Sequence, residues 1–274
     1  MDVLVIVLDL FTVPSPTGAY KTLDERLVGR AVDQILVFVN AHLALRFDGR
    51  VAVVAATGQH GSRLILASDA LSAHQGHAQP VDASGTSGTY KQFKLCDDAI
   101  TRSLKHLAAL PPPSPKTSSS RHISAGAGVA SAFSIALAYI NRVKKTATDP
   151  AAAAHFQSRI LVVSVSPDAP AEYIPIMNAI FAAKKEGVVV DVCRLLGNES
   201  LFLMQTAAST GGVFVSVTDL DNLITVLLHS FLPEPSIRTT LCLPGGGPVD
   251  FRASCFCHKQ PCSIAFVCSV CLSS

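Results

Sequence analysis

The chain has 274 residues, a formal net charge of +2, 49% apolar side chains and only 15% charged ones. A balance so near neutral is not that of a strongly basic domain and by itself points to neither a nucleic acid nor an acidic substrate, and the length suits one large domain with a small appendage. Charged residues normally make up about a quarter of a globular chain, so part of the apolar excess is expected to face a partner in an obligate complex.

Met1 leads straight into Val3–Asp9, a continuous β-branched run typical of a strand covered on both faces. No basic n-region and no small-residue cleavage site accompany it, so a reducing compartment is expected. Leu27, Ala31, Ile35, Val39 and Leu43 recur at four-residue steps and predict a helix over 22–45. Arg50–Thr57 and Arg63–Ser68 read as strands, and the Gly, Ser, His and Gln of Ser72–Lys91 as a loop. Phe93–Leu110 reads as a helix, ended by the low-complexity stretch Pro111–Arg121, which cannot bury a core. The uncharged run Ile123–Ile140 approaches the length of a membrane span, but its Gly, Ala and Ser content favours a buried helix continuing to Lys145.

Arg159–Ser166 predicts a central strand, and the following helix should end at Gly187, a residue suited to a C-terminal cap. Val188–Leu195 (strand), Glu199–Ser209 (helix), Gly211–Val217 (strand) and Asp219–Leu232 (helix) complete the alternation. The fold expected over residues 1–232 is α/β, a doubly wound, mostly parallel sheet with helices on both faces. A Pro- and Gly-rich linker over 233–249 and a small Cys-rich module over 250–274 should follow. Cys96 and Cys193 stand alone in apolar surroundings and read as core residues.

Chemistry in such a sheet belongs at the carboxyl ends of its strands. Asp9 closes the first strand and could hold a cation or a ribose. No dinucleotide glycine turn, phosphate-loop Gly-Lys-Ser/Thr, nucleophile elbow or His-Glu-x-x-His pair occurs. Gly126–Ser131 follows a Ser-rich stretch rather than a strand, which argues against a phosphate loop. His60, His74, His77 and His122 sit in predicted loops, while Arg142, Lys144, Lys145, Lys184 and Lys185 lie near helix ends, where cations complement the dipole.

These features resemble the von Willebrand factor A family, a doubly wound fold whose first strand ends in an aspartate. Its metal-ion-dependent adhesion site uses Asp-x-Ser-x-Ser, completed by a Thr and a later Asp from other loops. Here Asp9 is followed by Phe11 and Val13 at the serine positions, so the resemblance implies a degenerate site and a domain that works as a docking surface.

At the other end, Cys268 and Cys271 form C-x-x-C, a spacing that brings two thiolates to one tetrahedral zinc. Cys255, Cys257, His258 and Cys262 lie just upstream, and so many ligands in a short segment point to zinc rather than to a disulfide knot or a redox pair. An A-type domain followed by "DFRASCFCH" and "VCSVCLS" resembles the subunit 3 family of general transcription factor IIH (TFIIH). That resemblance implies a non-catalytic structural subunit in a nuclear complex that opens DNA in transcription and nucleotide excision repair. Its partners would be the RING-bearing A-domain subunit and the helicase-type ATPases. The family's C4-type zinc finger continues past this point with a second C-x-x-C, so the tail is expected to be a partial module with Cys268 and Cys271 as the first pair and Cys255, Cys257 or Cys262 as the candidates to substitute for the second. No direct nucleic-acid contact, membrane or small-molecule substrate is expected. The alternative reading is an A domain outside TFIIH that captures a carboxylate ligand through an ion on Asp9.

Overall fold

A computed structural model of the chain describes residues 2–10, 13–14, 20–21, 25–45, 48–57, 61–69, 91–110, 127–146, 156–168, 172–196 and 200–244, with 249, 251, 264 and 266. Cys255, Cys257, His258, Cys262, Cys268 and Cys271 lie outside these, as do Phe11, Thr12, the stretch 111–121 and all of the 72–91 loop except Lys91.

The first strand, β1 (Asp2–Asp9), is buried along its whole length, as its unbroken apolar run requires. Leu4, Ile6 and Leu8 enter one core layer and Val3, Val5 and Val7 the other, following the two-residue alternation of a strand. A short antiparallel pair follows, β2 (Val13–Pro14) against β3 (Tyr20–Lys21). Helix α1 (Glu25–Leu45) then packs its Ala31, Ile35, Phe38 and Val39 stripe on the sheet. Among the described residues α1 is the helix long and apolar enough to cross a membrane; here its apolar stripe lies within the domain's core.

β4 (Arg50–Ala55) and β5 (Arg63–Ala67) come next, then α2 (Lys91–Ala108) and α3 (Ala127–Thr146). Residues 127–140 of the uncharged run lie in α3, whose Ala132, Phe133, Ala136 and Ile140 fill the second core layer. β6 (Gln157–Ser164), α4 (Tyr173–Glu186), β7 (Val189–Leu195), α5 (Leu201–Thr210) and β8 (Phe214–Val217) follow. Cys96 on α2 and Cys193 on β7 are buried, and desolvation lifts their thiols to about 11 and about 12, so they act as core residues.

The main sheet runs β5-β4-β1-β6-β7-β8. All its pairings are parallel except β4 with the edge strand β5. α1 and α2 cover one face, and α3, α4 and α5 the other. The doubly wound, mostly parallel architecture read from the alternation of strands and helices is the one found.

Two details differ from the sequence-based expectation. Gly211 and Gly212, read as the start of a strand, instead end α5 and let the backbone pass close to β7. Gly211 adopts the left-handed conformation (φ 76°) of a helix cap. A Cβ on Gly212 would lie 1.9 Å from the Val190 carbonyl oxygen. The helix expected over Asp219–Leu232 is broken into a 3₁₀ turn (Leu220–Asn222), one α turn, α6 (Leu223–Val226), and a π turn (Leu227–Phe231). Beyond it the Pro-rich stretch opens with a further short helix, α7 (Pro235–Arg238), where Pro235 stands at the first helical position.

Candidate functional site

From β1 the chain winds outward through β4 and β5, then returns to the centre at β6 and winds the other way. The order therefore reverses between β1 and β6, and the crevice at their carboxyl ends is where a doubly wound sheet binds ligands. Asp9 ends β1 there, directly opposite Ser164 of β6, and Ser164 is in turn opposite Arg194 of β7.

Asp9 is 4% exposed and its two oxygens are both engaged. Ser164 Oγ donates to Oδ2 at 2.7 Å, Ser166 Oγ to Oδ1 at 2.8 Å, and the Ser166 N–H to Oδ2 at 3.3 Å. Arg194 stands behind the serines, donating from Nη1 to Ser164 Oγ at 3.2 Å and to the Ser166 carbonyl at 2.5 Å. Burial raises the Asp9 pKa, and the two hydroxyls, the Ser166 N–H and the Arg194 charge oppose that rise. The same burial depresses the Arg194 guanidinium, against the pull of Asp9 and Asp168.

Two more carboxyls complete the crevice. Asp168 caps α5: it accepts from Ser200 Oγ and, at 3.2 Å, from the Phe202 N–H, while Ser200 itself caps the Leu203 N–H. Glu172 is 5% exposed, and its Oε1 has no hydrogen-bond partner. Burial first, then repulsion from Asp9 and Asp168, pushes its pKa up to about 8, despite a hydrogen bond from the Ala130 N–H. Near neutral pH Glu172 is therefore mostly a protonated acid. Between these groups lies a cavity of about 10 Å³, lined by Ser164, Ser166, Asp168 and Glu172 on the polar side and by Val129, Ile176 and Phe202 among its apolar walls. It has room for about one water.

Asp9, the residue singled out from sequence, does lie at the switch point. Its environment suits a fixed ion network better than a Mg²⁺ site, which needs near-octahedral oxygen ligands. Three hydrogen bonds already occupy its oxygens, and a guanidinium supplies the nearby positive charge. Among the described residues no three His, Cys, Asp or Glu side chains converge to hold a metal ion. Ser164, Ser166, Glu172 and Arg194 were missed in the sequence. The Ser-x-Ser at the end of β6 was a usable signal, because it mirrors on a neighbouring strand the hydroxyls absent after Asp9. Arg194, inside an apolar strand, gave no such signal.

Sheet order, flanking helices and an aspartate at the switch point define a von Willebrand factor A-like domain. The family model described as transcription factor Tfb4 matches residues 1–274, and the chain belongs to that family. It is 36% identical over 272 residues to the Schizosaccharomyces pombe general transcription and DNA repair factor IIH subunit tfb4, covering 99% of this chain and 83% of that one. It is 32% identical to the Saccharomyces cerevisiae subunit TFB4, over 89% of this chain and 72% of that one. Among solved structures, the TFIIH p34 N-terminal domain superposes with a TM-score of 0.60 at 26% identity, covering 84% of this chain and 97% of that domain.

Proposed function

We propose that the chain is a non-catalytic structural subunit of the TFIIH core, acting in RNA polymerase II transcription initiation and nucleotide excision repair. The observation that carries this reading is the Tfb4 family match along all 274 residues. The crevice is consistent with it. Asp9 is committed to serines backed by an arginine.

In this reading the domain docks to the RING-bearing A-domain subunit and helps anchor the helicase-type ATPases, in the nucleus. The Cys-rich tail contributes a zinc module, with Cys268 and Cys271 as ligands and Cys255 and Cys257 as the candidates to complete the set. The test is affinity purification of the tagged chain from nuclear extract at moderate salt, with quantitative mass spectrometry. Stoichiometric recovery of the RING-bearing subunit and both ATPases is expected. Recovery of the folded chain alone would overturn the proposal.

A further inference from the structure

The opposite end of the sheet holds a second buried ionic cluster, and it binds the backbone. Arg159, at the start of β6, is fully buried. Its Nη1 donates to the Phe231 carbonyl at 2.9 Å and to the Pro233 carbonyl at 3.0 Å. Arg238, on α7, donates from Nε to that same Pro233 carbonyl at 2.9 Å. Its fork reaches Asp191 of β7 through Nη1 to Oδ1 at 2.6 Å and Nη2 to Oδ2 at 2.7 Å. Asp191 Oδ1 also accepts the Val213 N–H at 3.0 Å. Behind Arg159 lies Asp2 at 3.7 Å, itself 3.8 Å from His42 Nε2.

We infer that residues 231–238 form a strap latched across the base of the sheet by Arg159 and Arg238, so that the C-terminal segment leaves the domain in a fixed position, at the opposite end from the Asp9 crevice. The two arginines share one carbonyl acceptor, and each is anchored in the core through a different strand. Paired planar guanidiniums of this kind are geometrically selective, and a lysine cannot reproduce the fork. The segment read from sequence as a free linker from residue 233 therefore begins with residues held by the sheet. A partner bound to the C-terminal segment would be oriented by the base, while the crevice stays free for another contact. Arg159 and Arg238 are positioning residues in this scheme.

Hydrogen exchange on the full chain tests the latch. In Arg238→Ala, amides of 231–238 should exchange on the order of 100-fold faster, while those of β1 and β6 stay near wild type. Asp191→Asn, which conserves volume, and Arg238→Lys should show the same local signature. Unchanged exchange in the strap, or equal acceleration of strap and sheet in all three variants, would overturn the latch. A second arm rests on the proposed TFIIH assembly. Wild type and Arg238→Ala are compared for recovery of TFIIH subunits from nuclear extract, with several-fold lower recovery expected for the variant. Equal recovery, with the strap open, would overturn its placing role. Failure of the wild type to recover any subunit would count against the assembly, whereas the exchange result reads the latch by itself.

Discussion

One strand ends in two buried aspartates, and the chain neutralises them in different ways. Asp9 and Asp2 stand at opposite ends of β1, roughly 23 Å apart at the usual rise per residue. At the carboxyl end, Asp9 is satisfied by short side chains from the next strand, and Arg194 acts through them. There a spare acid, Glu172, is left facing a small cavity. At the amino end, Asp2 faces Arg159 directly, and Arg159 spends its hydrogen bonds on the carbonyls of a distant segment. The crevice thus joins the ends of strands that the sheet already sets side by side, although Asp9 and its serines lie more than 150 positions apart in the chain, whereas the base ties the sheet to a segment outside it. A long cation can cross between elements and secure a chain end, whereas hydroxyls can only complete a site already assembled.

The largest effect should come from the base. Arg159→Ala removes the cation beside buried Asp2 and the donor to the Phe231 carbonyl, while Pro233 keeps Arg238, so a loss of about 3–5 kcal/mol is expected in urea unfolding. Arg238→Ala should cost about 3 kcal/mol by the same measurement. The double variant should cost less than the sum, because both arginines meet at Pro233; strict additivity would show that the two halves of the latch act independently.

Changes in the crevice should be smaller. Asp9→Asn keeps the shape but weakens the serine contacts and strands Arg194, for about 1–3 kcal/mol. Added Mg²⁺ should not shift the melting temperature of the wild type; a saturable rise abolished in Asp9→Asn would restore the ion-binding reading. Glu172→Gln should match wild type in stability near pH 4.5 and exceed it at pH 7 by up to about 3 kcal/mol, because the folded wild type must hold a proton that its unfolded chain has released.

The same residue gives a signed pH dependence. Glu172 has a folded pKa of about 8 against an ordinary value of 4.5, so between them the folded chain holds a proton that the unfolded chain releases. Its contribution is complete below about 4.5 and is lost as pH rises through 8. The wild-type melting temperature should therefore fall by several degrees more than that of Glu172→Gln between pH 5 and 8.5. Parallel curves for the two proteins would show that Glu172 is ionised at neutral pH after all.

Much of the architecture was legible because it depends on local pattern. The buried run of β1, the four-residue stripe of α1, the uncharged core face of α3 and the cap at Gly187 each carry a periodicity or a conformational need visible in a short window. Asp9 was legible as well, since the end of a first strand can be read directly. Its surroundings were less so. Ser164 and Ser166 fall at the end of a predicted strand and Glu172 near the start of the helix after it, with nothing local to set them apart.

By itself, then, the sequence determined the layered, doubly wound α/β fold and the placing of one aspartate at the end of the first strand, because burial and twist leave a periodic chain few other arrangements. Only the tertiary structure decided how the buried charges are partnered. Arg159, Asp191 and Arg194 sit in strands that otherwise read as apolar, and Arg238 lies in a stretch that reads as linker. Hydrogen bonds between residues tens of positions apart have no period, so those partners become apparent only once the sheet has brought the strands together.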